Sequence, residues 1–360
     1  MRKENFYAGP STLPYCVLEE LERTIKDHNG AGLSLIETSH RSKEYDLVHN
    51  EAIALIRELL DLPPNYKILF LGGGATMQFG MIPMNFLSRN DFCDFAVTGA
   101  WGKKALADTK KIGTAKIIFD GKDCNYNSIP DKLELSKDAA YLYLTSNETI
   151  GGVQWKEWPD SGSVPIICDM SSDIMSRRLP VEKFGMIFAG AQKNLGPAGV
   201  TLVIIRDDML EKCPDNLPAY LNYRTHSEKN SLYNTPPVFS IYAVKLVLQW
   251  IKDNGGISAV EERNNKKAEL LYSAIDNSEG YYKCPVVSRD RSRMNVVYKL
   301  PSEELDKKFV EEAAAKNMIG LKGHRSVGGC RASIYNAMSV ENVVKLVEFM
   351  ESFRKSNPAS

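Results

Sequence analysis

The sequence has no surplus of either charge: 45 Lys and Arg balance 45 Asp and Glu over 360 residues, a formal net charge of +0. Nothing global draws such a chain to a polyanion or an acidic bilayer, so nucleic acid and membrane surfaces are not expected as partners. None of the seven cysteines, Cys16, Cys93, Cys124, Cys168, Cys213, Cys284 and Cys330, forms a C-x-x-C pair. Several lie inside apolar runs, where a thiol behaves as a small hydrophobe, a usage that fits a reducing compartment rather than a disulfide scaffold. Also missing are an apolar leader core around Met1 to Tyr7 and any apolar run of membrane-spanning length. The expectation is a cytoplasmic protein with no membrane partner and no resident metal. Internal repeats and low-complexity tracts are absent too, as are G-x-G-x-x-G and G-x-x-x-x-G-K-[ST], which argues against a dinucleotide fold or a P-loop kinase.

What is present is an ordinary globular composition, 43% hydrophobic and 25% charged, on a chain long enough for two domains. Short apolar runs recur at 66–71, 92–97, 115–119, 140–144, 164–168, 186–189 and 200–205. Most lack polar alternation and are separated by helical or loop stretches, the pattern of strands covered on both faces, and they predict a mostly parallel sheet of about seven strands. Helical periodicity is expected over 15–27, 45–60, 240–253 and 257–275, and 219–237 reads as a long polar loop. Asn254-Gly255-Gly256 marks a boundary between a large domain, 15–255, and a small α+β domain, 256–360, with 1–14 as an extended segment joining them. In the small domain the expected order is strand 282–287, strand 294–300, helix 303–316, strand 331–335 and helix 340–353.

The chemistry-bearing residues fall where these strands end. Lys193 follows the apolar run 186–189, in Gly190-Ala-Gln-Lys-Asn-Leu-Gly-Pro197, and Asp169 closes the run 164–168. A lysine desolvated in a cleft is free to form a Schiff base, and an aspartate on a neighbouring strand end can partner a pyridinium nitrogen. Gly72-Gly-Gly-Ala75 joins a strand to a helix, as in folds that offer backbone N–H groups to a phosphate. Trp101, between two glycines, has room to lie flat against a planar ring, and Thr149 sits in a polar loop after another strand. These positions would share the carboxyl edge of the sheet, where open α/β folds bind ligands.

Taken together, Asn5-Phe-Tyr-Ala-Gly-Pro10, Ser39-His-Arg-Ser-Lys-Glu44, Gly72-Gly-Gly-Ala75, Gly99-Ala-Trp-Gly102, Asn147-Glu-Thr149, Asp169-Met-Ser-Ser172, Gly190 to Pro197, Asn234-Thr-Pro236 and Arg331-Ala-Ser-Ile-Tyr-Asn-Ala337 resemble the phosphoserine aminotransferase family, among the class V, fold-type I pyridoxal phosphate enzymes. The resemblance implies that Lys193 forms the Schiff base with pyridoxal 5'-phosphate, Asp169 pairs with its ring nitrogen, Trp101 stacks on it and Thr149 lies near its phenolic oxygen. It places the cofactor phosphate at Ala75, Thr76 and Gln192, with Asn234 and Thr235 from the second subunit of a homodimer. Arg331 would hold the substrate α-carboxylate, and His40, Arg41, His324 and Arg325 its far end. The implied reaction moves an amino group from L-glutamate to 3-phosphohydroxypyruvate, yielding O-phospho-L-serine and 2-oxoglutarate in serine biosynthesis, with 4-phosphohydroxy-L-threonine of the vitamin B6 route as a further substrate to test. Some members carry arginine directly after Gly-Gly-Gly-Ala; this chain has Thr76 and Met77 there, which shifts the burden of phosphate recognition to the four basic residues. A cysteine desulfurase would instead be expected to stack a histidine on the ring and to carry a cysteine in a mobile loop, whereas Cys330 stands beside Arg331 at an expected strand start.

Overall fold

A computed structural model describes residues 2–358. Seven strands form its main sheet: β1 Tyr66–Leu71, β2 Phe92–Val97, β3 Thr114–Asp120, β4 Leu142–Thr145, β5 Ile166–Asp169, β6 Phe184–Gly190 and β7 Thr201–Arg206. Their spatial order is β1-β7-β6-β5-β4-β2-β3, and every pairing is parallel except the two made by β7. The run of parallel strands from β6 to β3 therefore delivers its carboxyl ends to one edge.

Period-two alternation explains how continuous apolar strands are used. Ile68, Phe70, Leu142, Leu144, Ile166, Cys168, Ile187, Ala189, Leu202 and Ile204 enter one core, whereas Leu69, Leu71, Tyr141, Tyr143, Ile167, Met186, Phe188, Val203 and Ile205 enter another. Helices α1 Tyr15–Lys26, α2 Lys43–Leu59 and α5 Val238–Asp253 cover the first face; α3 Gly74–Phe86 and α4 Ala100–Ile112 cover the second. The result is a three-layer α/β/α body with no polar face on its central strands, as the apolar runs predicted.

A third core holds Phe6 with Ala268, Leu271, Ile275, Val296, Tyr298, Phe309, Ala332 and Phe349. It is built by helices α6 Gly256–Asp276, α7 Glu303–Ala315 and α8 Val340–Ser356 on the antiparallel pair β8 Asn295–Tyr298 and β9 Cys330–Ser333. Ile257 and Val260 at the start of α6 belong to the first core and Ala268 onward to the third, so one helix passes from one core to the other.

Two expectations fail locally. Residues 282–287 make no strand, only a bridge between Lys283 and Lys299. Pro285 has no N–H to donate, and the segment anchors instead through the buried rings of Tyr281 and Tyr282. The long loop 219–237 contains a short helix, Tyr223–Glu228, started by Asn222, whose side chain accepts the Arg224 N–H. Conversely, Glu4–Asn5 pairs with Met318–Ile319, two residues each, too short to leave a periodic signal. No helix among the described residues is long and apolar enough to cross a membrane, and no cluster of three or more metal-binding side chains occurs among them.

Candidate active site

One cavity lies at the carboxyl edge of the sheet, and each segment lining it follows a different strand: Gly74, Ala75 and Thr76 after β1, Trp101 after β2, Asn147 and Thr149 after β4, Asp169, Ser171 and Ser172 at the end of β5, and Gln192 and Lys193 after β6. Gly73 and Gly74 have φ of +84° and +65°, a left-handed step that lets the chain turn from β1 directly into α3. No side chain caps α3, so the N–H groups of its first turn keep their hydrogen-bonding capacity at the cavity wall.

Lys193 is held from several sides. Ser11 N–H donates to Gln192 O at 3.0 Å and Ser11 Oγ–H donates to Lys193 O, which ties the N-terminal segment over the lysine turn. Asn194 beside it donates to Ile174 O at 3.1 Å and accepts the Asn336 N–H at 3.0 Å. The side chain runs inward, and Nζ donates to Thr149 Oγ1 at 2.7 Å and lies 5.6 Å from the Trp101 ring centre. Burial lowers its pKa to about 8, against the opposing pull of the Asp169 and Glu148 charges.

Asp169 is 4% exposed, and its Oδ1 accepts the Ser171 N–H at 2.9 Å. Burial raises its pKa, opposed by the hydrogen bond from Ser171 and by the Lys193 ammonium. Thr149 stands at the tip of a small hairpin, Asn147–Glu148 against Val153–Gln154, whose Gly152 has φ +74°. Its carbonyl accepts from an Arg331 NH group at 3.2 Å. Arg331 Nε is buried without a partner, no carboxylate pairs with this guanidinium among the described residues, and burial lowers its pKa. A half-buried, unpaired guanidinium beside Thr149 is suited to an incoming carboxylate.

The structure thus brings Ala75, Thr76, Trp101, Thr149, Asp169, Gln192 and Lys193 around one cavity, with Arg331 bonded to its rim. It does not bring all the expected residues there. Asn234 and Thr235 are exposed, with Asn234 Nδ2 bonded only to Thr235 O, and Arg41 is exposed on the segment ahead of α2 beside half-buried His40. His324 and Arg325 line a separate groove between Lys299–Glu311 and Lys322–Gly329. His324 Nδ1 accepts the Ser326 N–H at 3.2 Å, and its pKa is lowered by burial and then by Arg331, Arg325 and Lys104.

Sequence reasoning passed over several residues in and beside the cavity. Asn147 donates to Ser172 Oγ and to Asn295 Oδ1, both at 2.8 Å, and so joins the sheet edge to β8. Ser171 Oγ accepts the Gly190 N–H at 3.0 Å. Glu148, fully buried, accepts the N–H groups of Trp101 at 3.1 Å and Gly102 at 3.0 Å. Each lies within a motif recognised as a unit, and the available signal was its adjacency to Thr149 or Asp169.

Residues 5–346 match the family model described as aminotransferase class-V. The chain is 52% identical to the phosphoserine aminotransferase of Bacillus subtilis (strain 168), over 99% of both chains. It is 51% identical to that of Geobacillus kaustophilus, over 98% of this chain and 99% of the relative. The solved structure of phosphoserine aminotransferase from Bacillus circulans subsp. alkalophilus superposes with a TM-score of 0.97 at 50% identity, over 99% of each chain. That of the PLP-bound enzyme from Trichomonas vaginalis gives 0.90 at 38% identity, over 97% of this chain and 100% of that one. With a desolvated lysine and a buried aspartate facing one cavity at the sheet edge, and with similarity running through all three cores, the chain belongs to the class-V aminotransferases.

Proposed function

We infer that the chain is a pyridoxal phosphate-dependent phosphoserine aminotransferase, transferring an amino group from L-glutamate to 3-phosphohydroxypyruvate to give O-phospho-L-serine and 2-oxoglutarate. The single observation that carries the chemistry is the buried Lys193 amine, 2.7 Å from Thr149 Oγ1, in a cavity that also holds Asp169. The choice of substrate rests on full-length similarity to enzymes of that name.

The donor set fits pyridoxal 5'-phosphate. Trp101 offers an aromatic wall whose Nε1 is buried without a partner, the uncapped start of α3 at Ala75 and Thr76 with Gln192 suits a phosphate, and Lys193 and Asp169 supply an amine and a buried carboxylate. When bound, that cofactor supplies an electron-accepting ring, which makes a substrate Cα–H bond breakable. Lys193, with a pKa near 8, is a neutral amine roughly a tenth of the time at pH 7, far more often than an unshifted lysine, and can accept the Cα proton and give it back. Thr149 Oγ1 orients that amine, and Asp169 would hold a proton on the ring nitrogen. Arg331 would clamp the α-carboxylate common to glutamate and phosphoserine.

The far ends of the two substrates are both anions on short chains, and His40, Arg41, His324 and Arg325 are our candidates for meeting them. That assignment needs a second subunit, because Asn234, Thr235, His40 and Arg41 line no cavity with Lys193 in one chain; we therefore propose a homodimer with shared sites. A coupled assay comparing 3-phosphohydroxypyruvate with pyruvate and glyoxylate as amino acceptors tests the reading. We expect strong preference for the phosphorylated acid; preference for either unphosphorylated one would refute the substrate assignment. Adding 4-phosphohydroxy-L-threonine as an amino donor asks whether the vitamin B6 route is served as well.

A further inference from the structure

Glu148 is a carboxylate the reaction above does not use, yet the site is built around it. Its oxygens accept both the Trp101 and the Gly102 N–H groups, the first turn of α4, where no side chain of the helix's own cap does so. Gly99 makes the approach possible, and Gly102 leaves it ordinary contact distance. A Cβ on Gly99 would collide with the Glu148 carboxyl group, and one on Gly102 would stand 3.5 Å from Glu148 Oε1. Gly99 has φ 177°, extended backbone open to any residue, so its lack of a side chain serves this contact rather than a turn. Glu148 also directly precedes Thr149, the residue to which the Lys193 amine is bonded.

The charges around it are few and can be counted by element. Asp169 faces Glu148 from β5 and Lys193 from the turn after β6, while the buried Tyr143 hydroxyl lies nearby on β4. Lys193 in turn senses Asp169, Glu148, Arg331 and Asp173. Two buried carboxylates thus share one buried amine. A carboxylate kept at a helix start in this setting does more than cap: it fixes the tryptophan at the cavity wall and, although burial pushes its own pKa up to about 7, it is mostly ionised where Lys193 titrates and adds negative potential there.

We propose that Glu148 is a positioning residue for amino transfer, holding Trp101 against the cofactor cavity through the first turn of α4 and placing a carboxylate next to Thr149, the partner of the Lys193 amine. This rests on the proposed function, but its principal readout does not require turnover. Cofactor-free wild type, Glu148→Gln and Glu148→Asp are mixed with pyridoxal phosphate, and the rate of covalent capture by Lys193 is followed by visible absorbance from pH 6 to 10. Removing a negative charge lowers the affinity of the amine for its proton, so the capture midpoint of Glu148→Gln should move to lower pH, by about one unit for a tenfold change in proton affinity. Glu148→Asp keeps the charge and should keep a midpoint within a few tenths of wild type. In the assay with glutamate, Glu148→Gln should lose about tenfold in kcat with little change in KM.

Should Glu148→Gln fail to fold, Gly99→Ala displaces the same carboxylate from the other side and should shift the midpoint in the same direction. The same Gly99→Ala change placed on Glu148→Ala should add no further shift, since the collision is gone. An unmoved capture midpoint in Glu148→Gln, or in Gly99→Ala where Glu148→Gln does not fold, overturns the proposal, even if the protein is less stable. Wild type that captures pyridoxal phosphate but transfers no amino group would refute the proposed function and leave the midpoint comparison standing.

Discussion

At Lys193, the proposed reactive amine, burial and the charges of neighbouring carboxylates act in opposite senses. Desolvation favours the neutral amine, whereas Asp169 and Glu148 favour the ammonium, and the balance leaves the pKa near 8. An ordinary lysine titrates near ~10.4. The sign follows directly: in cofactor-free protein the reactive, neutral fraction grows as pH rises and reaches half near pH 8. Capture of pyridoxal phosphate should therefore accelerate from pH 7 to about 8 to 9 and flatten above; a rate still climbing at pH 10 would mean that the amine is solvated. Lys193→Ala should abolish both turnover and the visible absorption of the bound cofactor, and a variant that retained both would strip Lys193 of its role. Arg331→Ala removes the unpaired guanidinium from the rim. It should raise KM for glutamate and for phosphoserine alike, by about tenfold to a hundredfold for a charge-assisted bidentate contact of ~1.5–3 kcal/mol. An effect on phosphoserine alone would move Arg331 to the phosphate end.

At the scale of elements, the hairpin carrying Thr149 shows how backbone geometry serves the site. Gly152 lies at φ +74°, and a Cβ there would stand 2.8 Å from Val297 Cγ2 and 2.9 Å from Asn295 O on β8. Strain and collision both oppose Gly152→Ala, which should cost about 2 kcal/mol in denaturant unfolding and reduce kcat by displacing Thr149. Stability lost with kcat intact would separate the hairpin from the chemistry. The strands of the sheet were legible in sequence because continuous apolar runs have few other uses. Residues 282–287 misled because an apolar stretch with aromatic rings reads as a strand, whereas Pro285 and the needs of the third core make it an irregular anchor. The helix at Tyr223–Glu228 was hidden for the reverse reason. It is six residues long, with only Tyr223 and His226 buried, too few to leave a period.

For the whole molecule, three cores meet at the site. The N-terminal segment puts Phe6 into the third core and Ser11 onto the lysine turn, and α6 runs between the first and third cores. Asn264 on α6 donates to Ser176 O at 3.1 Å and to Asn336 Oδ1 at 2.9 Å, a buried link between the sheet body and the C-terminal layer. The proposed homodimer gives a test at this scale. Lys193→Ala and Asn234→Ala proteins, each inactive, are mixed and allowed to exchange subunits. If Asn234 completes the partner's site, half of the dimers are mixed and each has one intact site, so about a quarter of wild-type activity should return. No recovery, with exchange confirmed by mass, would place Asn234 in its own subunit's site.

Sequence alone determined the class of fold and the positions of the apolar strands, and it singled out Lys193 and Asp169 as the candidate reactive pair, because hydrophobic periodicity and strand-end chemistry are local in the chain. Glu148 behind Thr149, the unpaired state of Arg331 and the passage of α6 between cores were decided only in three dimensions. Each depends on groups far apart in sequence: Glu148 is held by main-chain amides nearly fifty residues earlier, and Arg331 reaches a carbonyl 182 residues away. Burial, which sets the proton affinity of every group in the cavity, is a property of the packed chain and of no segment within it.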